Sequence, residues 1–121
     1  MKVIIDLIEE IRESIANAEA YLLSVGLLKE DMNDPDKLVY AGEALVSGYD
    51  IDHNNKVLRL EVSGGDKGVR VGELIPQLLI LDMDAMMYQI KVDVNAQYGN
   101  MDVAGFGKND EEQRFVLFIK I

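Results

Sequence analysis

Apolar residues recur along this chain at two alternating periods, and each change of period marks a new element. Over residues 3–17, Ile4, Leu7, Ile8, Ile11 and Ile15 keep the spacing of one helical face. Asp6, Glu9, Glu10 and Glu13 fill the other face, early enough to favour the helix dipole. The period then falls to two, and Tyr21, Leu23, Val25 and Leu27 predict a strand. DMNDPDK at 31–37 carries turn chemistry, and KLVYAGEALVSGYDI at 37–51 reads as a long second strand bulged near Gly42. DHNNK at 52–56 is a further turn, followed by a third strand with Leu58, Leu60 and Val62 on one face.

After the Gly-rich stretch SGGDKGVRVG at 63–72, the programme resumes. Residues 73–81 predict a helix in which Pro76 is tolerable only in the first turn. Residues 87–94 alternate, with Tyr88, Ile90, Val92 and Val94 facing one way. NAQYGN is a turn, MDVAGFG a short strand, KNDEEQ a turn and RFVLFIKI the closing strand. A shift of 67 positions lays Leu7 on Leu74, Ile8 on Ile75, Ala18 on Ala85, Tyr21 on Tyr88 and Val25 on Val92. Asp6 meets Glu73, Asn17 meets Asp84, and the switch from helix to strand coincides. YAG at 40–42 echoes VAG at 103–105, and KVLRLEV echoes RFVLFIKI.

The expected fold is therefore α+β in a single domain: two αβββ units, residues 1–63 and 71–121, joined by a connector at 64–70. Internal pseudo-symmetry would relate the units, their antiparallel meanders packed with two helices. A meander alone leaves one apolar face and an unpaired edge in water, and closing two on a common core removes most of that exposure.

Charge narrows the partners. Twenty-two acids against twelve bases leave a net charge of -10. Such a surface repels phosphate backbones, so direct nucleic-acid binding is not expected, and a basic protein surface is favoured. Residues 1–66 hold fourteen acids and six bases, against eight and six in residues 67–121, so the first unit is the side a basic partner would meet. The chain has no cysteine, which excludes disulfides and thiol chemistry. No apolar run approaches the roughly 20 residues that cross a bilayer, and Asp6, Glu9 and Glu10 interrupt anything like a signal peptide. A cytoplasmic location without membrane association is the expectation.

Candidate chemistry is sparse. Asp50, Asp52, Asn54 and Glu61 fall at positions 1, 3, 5 and 12 of a calcium-loop pattern. Asn55 replaces the glycine of that loop, however, and strands flank it where helices are required, so a plain hairpin turn explains the same residues. His53 is the only histidine, and no nucleophile–base pair of the usual kind can be assembled. SGGDKG lacks phosphate-loop spacing and reads as a linker. Met83, Met86, Met87 and Met101 suit either a core or an adaptable contact surface. Acidic residues gather at the turns: Glu30, Asp31, Asp34 and Asp36 at one tip, Asp50 and Asp52 at the next, and Asp110, Glu111 and Glu112 late in the second unit. Successive turns lie at opposite ends of the strands, so these clusters are expected to be spread, not one patch.

VRVGELIPQLLILDMDAMMYQIKV resembles a helix-to-strand segment of small phage and prophage proteins, of the form VGELI…L…D.DA. Small, acidic, cysteine-free chains of that origin are also similar to anti-CRISPR inhibitors. That resemblance implies occupation of the basic nucleic-acid or PAM-reading surface of a Cas nuclease by carboxylates. The expectation is thus a non-enzymatic, mobile-element inhibitor without cofactor, binding a basic host protein such as Cas9. Glu30, Asp31, Asp34, Asp36, Asp50, Asp52, Met86 and Met87 would be its contacts. A homodimeric accessory domain using an exposed strand edge is the alternative. An enzyme or ligand binder, requiring a deep polar pocket that joins Tyr21 and Tyr88 with carboxylates, is the third.

Overall fold

A computed structural model describes residues 2–62, 68–94 and 100–121. Most of the expected connector, and the NAQYGN turn up to residue 99, lie outside the described residues. Helix α1 (Ile4–Ser14) leads through a 3-10 turn, η1 (Ala18–Ala20), to strand β1 (Leu22–Glu30). Strands β2 (Leu38–Leu45), β3 (Gly48–Asp52) and β4 (Val57–Val62) follow. Helix α2 (Val71–Leu79) and a second 3-10 turn, η2 (Met83–Met87), lead into β5 (Gln89–Val94), β6 (Asn100–Asn109) and β7 (Arg114–Lys120).

The periodicity places the two helices and the buried faces of β1, β4 and β5. The buried stripe of α1 is Ile4, Leu7, Ile8 and Ile11, and the Asp6 carboxylate turns back to accept the N–H of Val3 at 2.9 Å. Ile15 already has extended backbone, so the helix stops within the apolar run. Helix α2 begins two residues earlier than expected, because the Val71 N–H is tied to the Tyr21 carbonyl at 2.9 Å and Val71 is buried. The earlier start puts Pro76 inside the helix, not in its first turn. The missing N–H there leaves one helical hydrogen bond unmade.

Strand pairing departs from the expectation. All seven strands form one mixed sheet in the order β2-β1-β7-β6-β5-β4-β3. Two pairs, β1 with β7 and β4 with β5, are parallel. The chain therefore does not make two antiparallel meanders. Strands β2 and β3, expected as one strand, occupy the two outermost places in that order, yet only Val46 and Ser47 separate them. Val46 N–H still donates to Leu23 of β1, while Ser47 N–H donates to Glu61 of β4. Three residue steps span at most about 11 Å, so the sheet must roll until its edges meet at Val46. The expected bulge near Gly42 is present: Leu27 faces Gly42, Leu28 faces Tyr40, and Gly42 has φ 140°.

One apolar cluster fills the interior of this curl. It joins the α1 and α2 stripes to Leu23, Val25, Leu58, Leu60, Ile90, Val92, Val103, Phe115, Leu117 and Ile119. Each helix entrance is tied to the strand that follows the other helix. Val3 bridges Gln89 and Arg70 bridges Leu22, while Ile4 N–H donates to Tyr88 and Val71 N–H to Tyr21. Helix α1 packs on η2, and α2 packs on η1. No helix among the described residues is long and apolar enough to cross a membrane.

Candidate interaction surfaces

The β1–β2 hairpin tip is built from its own carboxylates. Asp31 Oδ1 accepts the Asn33 N–H at 3.0 Å, and Asp34 Oδ1 accepts the Asp36 N–H at 3.2 Å, which closes the DMNDPD turn. Glu30 lies 3.8 Å from Lys120 of β7. Met32, between the two turn-forming aspartates, is 97% exposed. Along β2, Leu38 and Tyr40 are exposed as well, the Tyr40 ring edge-on to Phe118 at 6.5 Å. Among the described residues the outer side of β2 has no neighbouring strand.

The β3–β4 turn is ordered differently. Asp52 accepts hydrogen bonds from the N–H groups of Asn54 and Asn55 and from the Asn55 side chain. The Asn55 side-chain bond, then its backbone bond, holds the Asp52 carboxyl below its ordinary range. Arg59 approaches both Asp50 and Asp52, at 3.7 and 3.8 Å. Glu61 is not part of this group. It pairs opposite Gly48, while Asp52 pairs opposite Val57 at the other end of the hairpin. The calcium-pattern residues are thus drawn apart, and no cluster of three or more His, Cys, Asp or Glu among the described residues could hold a metal.

Two clefts lie where the 3-10 turns meet the hairpin turns. In the first, Tyr21 donates to Asp110 Oδ1 at 2.6 Å. Lys108 lies 3.3 Å from Asp110 and donates to the Ser14 carbonyl at 2.8 Å. The Tyr21 bond, and secondarily Lys108, holds the Asp110 carboxyl below its usual range, and Asp110 in turn raises the Tyr21 phenol. In the second, Tyr88 Oη lies 3.0 Å from His53 Nδ1, the rings edge-on at 5.6 Å. Lys56, Met83, Asp84, Met87 and Tyr88 line a space there of about 640 Å³. Tyr21 and Tyr88 thus line separate clefts.

The acidic turns lie at two opposite ends of the sheet, as expected. Glu30, Asp31, Asp34 and Asp36 sit where β1 ends. The turn holding Asp52 and His53 sits where β4 and β5 begin, beside η2. Met87 is exposed there, but Met86 packs against the core. Met32, Leu38, Tyr40, Leu79, Ile80 and Met83 are exposed large side chains that the acidic pattern did not single out. For Leu79 and Ile80 a signal existed, since both fall off the Val71, Leu74, Leu78 stripe. For Met32 the turn chemistry on either side was the signal. No family model, curated protein or solved structure matches this chain.

Proposed function

We propose that this chain is a non-enzymatic interaction protein that engages a basic protein surface through the β1–β2 hairpin and the outer edge of β2. The exposed thioether of Met32, set between turn carboxylates and followed by exposed Leu38 and Tyr40, carries the reading. An apolar anchor with an acidic rim suits a pocket edged by Lys and Arg, where aromatic and Met side chains contribute affinity and charges set orientation and on-rate. The nucleic-acid groove of a host nuclease is such a surface, and occupying it would inhibit the enzyme. A mobile-element inhibitor of the Cas9 class of nuclease is the first case to test.

We also propose that the chain is an internal duplication whose halves exchange strands. Residues 67 apart play equal parts in the helix entrances and at Tyr21 and Tyr88. Residues 57 apart do so later: Lys56 and Gln113 have φ 57° and 54°, Val46 and Val103 are both buried, and Leu58, Leu60 and Val62 answer to Phe115, Leu117 and Ile119. On this alignment VSG at 46–48, rather than YAG at 40–42, corresponds to VAG at 103–105. The difference between the two spacings, ten residues, falls in the stretch that contains the β1–β2 hairpin. That acidic tip is therefore an elongation which the second unit does without, as expected of a functional addition.

The test is a titration of a basic nuclease with the wild-type chain and with the variant Asp31→Asn, Asp34→Asn, Asp36→Asn. Asparagine keeps the acceptor oxygen that closes the turn, so only charge is lost. At about 0.2–1 kcal/mol per exposed charge, the triple change should weaken binding roughly tenfold, and added salt should weaken the wild type. Binding indifferent to both would remove the proposal. The outer edge of β2, which has no neighbouring strand among the described residues, favours one second reading, a homodimer, which light scattering would reveal as a salt-resistant species of twice the chain mass.

A further inference from the structure

We infer that the cleft at Tyr88 is a binding site for a small aromatic zwitterion, of the class of free amino acids with an aromatic side chain. This ligand site is independent of the hairpin surface proposed above. Its walls combine three kinds of group. Met83 and Met87 present thioethers, 89% and 65% exposed, beside the Tyr88 ring. Lys56 brings an ammonium and Asp84 a carboxylate, and among the described residues neither forms an ion pair. His53 holds the Tyr88 hydroxyl at 3.0 Å, so the phenol is positioned before any ligand arrives.

The Tyr21 cleft shows what the same plan looks like when the protein fills it. Its space of about 410 Å³ is lined by Tyr21, Lys108 and Asp110, whose charges satisfy one another, and by small or neutral Ala16, Asn17 and Gln113. At Tyr88 the larger space, about 640 Å³, lies within the range of pockets that take small ligands. Thioethers and a phenol favour an aromatic ring through sulfur–aromatic and edge contacts. Lys56 would receive a carboxylate and Asp84 an ammonium. A ligand of net negative charge would be repelled by a chain of net charge -10, which favours a neutral zwitterion.

Three probes separate the contacts: L-phenylalanine, phenethylamine lacking the carboxylate, and 3-phenylpropionate lacking the ammonium. Binding is read from amide shifts in two-dimensional NMR of the full chain. The variants are Lys56→Gln and Asp84→Asn. Gln113 has nearly the same backbone as Lys56, with φ 54° against 57°, and Asn17 is a neutral lining residue of the other cleft, so the fold should accept both. L-phenylalanine should shift residues 53–56 and 83–89 saturably. Lys56→Gln should weaken L-phenylalanine binding about two- to fivefold and leave phenethylamine unchanged. Asp84→Asn should weaken L-phenylalanine similarly and leave 3-phenylpropionate unchanged. Shifts that never saturate, shifts elsewhere on the chain, or affinities that ignore both substitutions would each overturn the assignment.

Discussion

The hydroxyl of Tyr21 and the carboxylate of Asp110, 89 residues apart, form a 2.6 Å hydrogen bond that couples their titrations. A carboxyl depressed in the folded state contributes stability that is present above its unfolded pKa, near 3.8, and is lost as pH falls through the folded value. A phenol raised in the folded state contributes stability that is present below 10.0 and is lost as pH rises through its folded value. The bond therefore stabilises the fold across the pH range between these limits. Tyr21→Phe should return the Asp110 titration, followed by carboxyl-carbon NMR, toward the ordinary range while the fold persists. An unmoved Asp110 would show that Lys108, not Tyr21, controls it. Tyr21 and Tyr88 were visible in the sequence as the ends of two helix-to-strand switches. Their partners Asp110 and His53 were not, because a turn residue acquires its neighbour only when the strands pair.

Among the elements, β7 sends Phe118 across two neighbouring strands on the outer face of the sheet. A Cβ on Gly26 of β1 or on Gly107 of β6 would come within 2.7 Å of that ring. Gly26→Ala or Gly107→Ala should therefore destabilise the protein by about 1–3 kcal/mol, measured as a shift of the urea midpoint. Adding Phe118→Leu to either should restore part of the loss, and no restoration would place the strain elsewhere. The buried faces of β1, β4 and β5 were legible, since a two-residue period reports which side chains share a side. The Gly42 bulge was legible too, from a glycine inside a strand pattern. The helix start at Val71 was not, because it answers to the Tyr21 carbonyl and not to a local cap.

Across the whole molecule, the parallel pairs make the two halves dependent on each other. Strand β1 lies beside β7, and β4 lies beside β5, so neither residues 1–66 nor residues 67–121 can complete its sheet alone. Each fragment, expressed separately, should lack the dispersed NMR spectrum of a packed core, and mixing the two should restore it. A folded single fragment would mean that the parallel pairs are dispensable. Net charge belongs to this scale as well. At -10 the chain repels copies of itself at low ionic strength, and added salt should weaken that repulsion.

The amino-acid pattern by itself determined the α+β class, the two helices, the facing of β1, β4 and β5 and the acidic, cysteine-free composition. Those are properties of single segments, written in local period and composition. Only the tertiary structure decided that β2 and β3 close opposite edges through Val46, that parallel neighbours replace meanders, and that Tyr21 meets Asp110 while Tyr88 meets His53. Pairing is a choice among strands with equally suitable edges. Long-range hydrogen bonds and the shared apolar interior make that choice, and no local stretch encodes it.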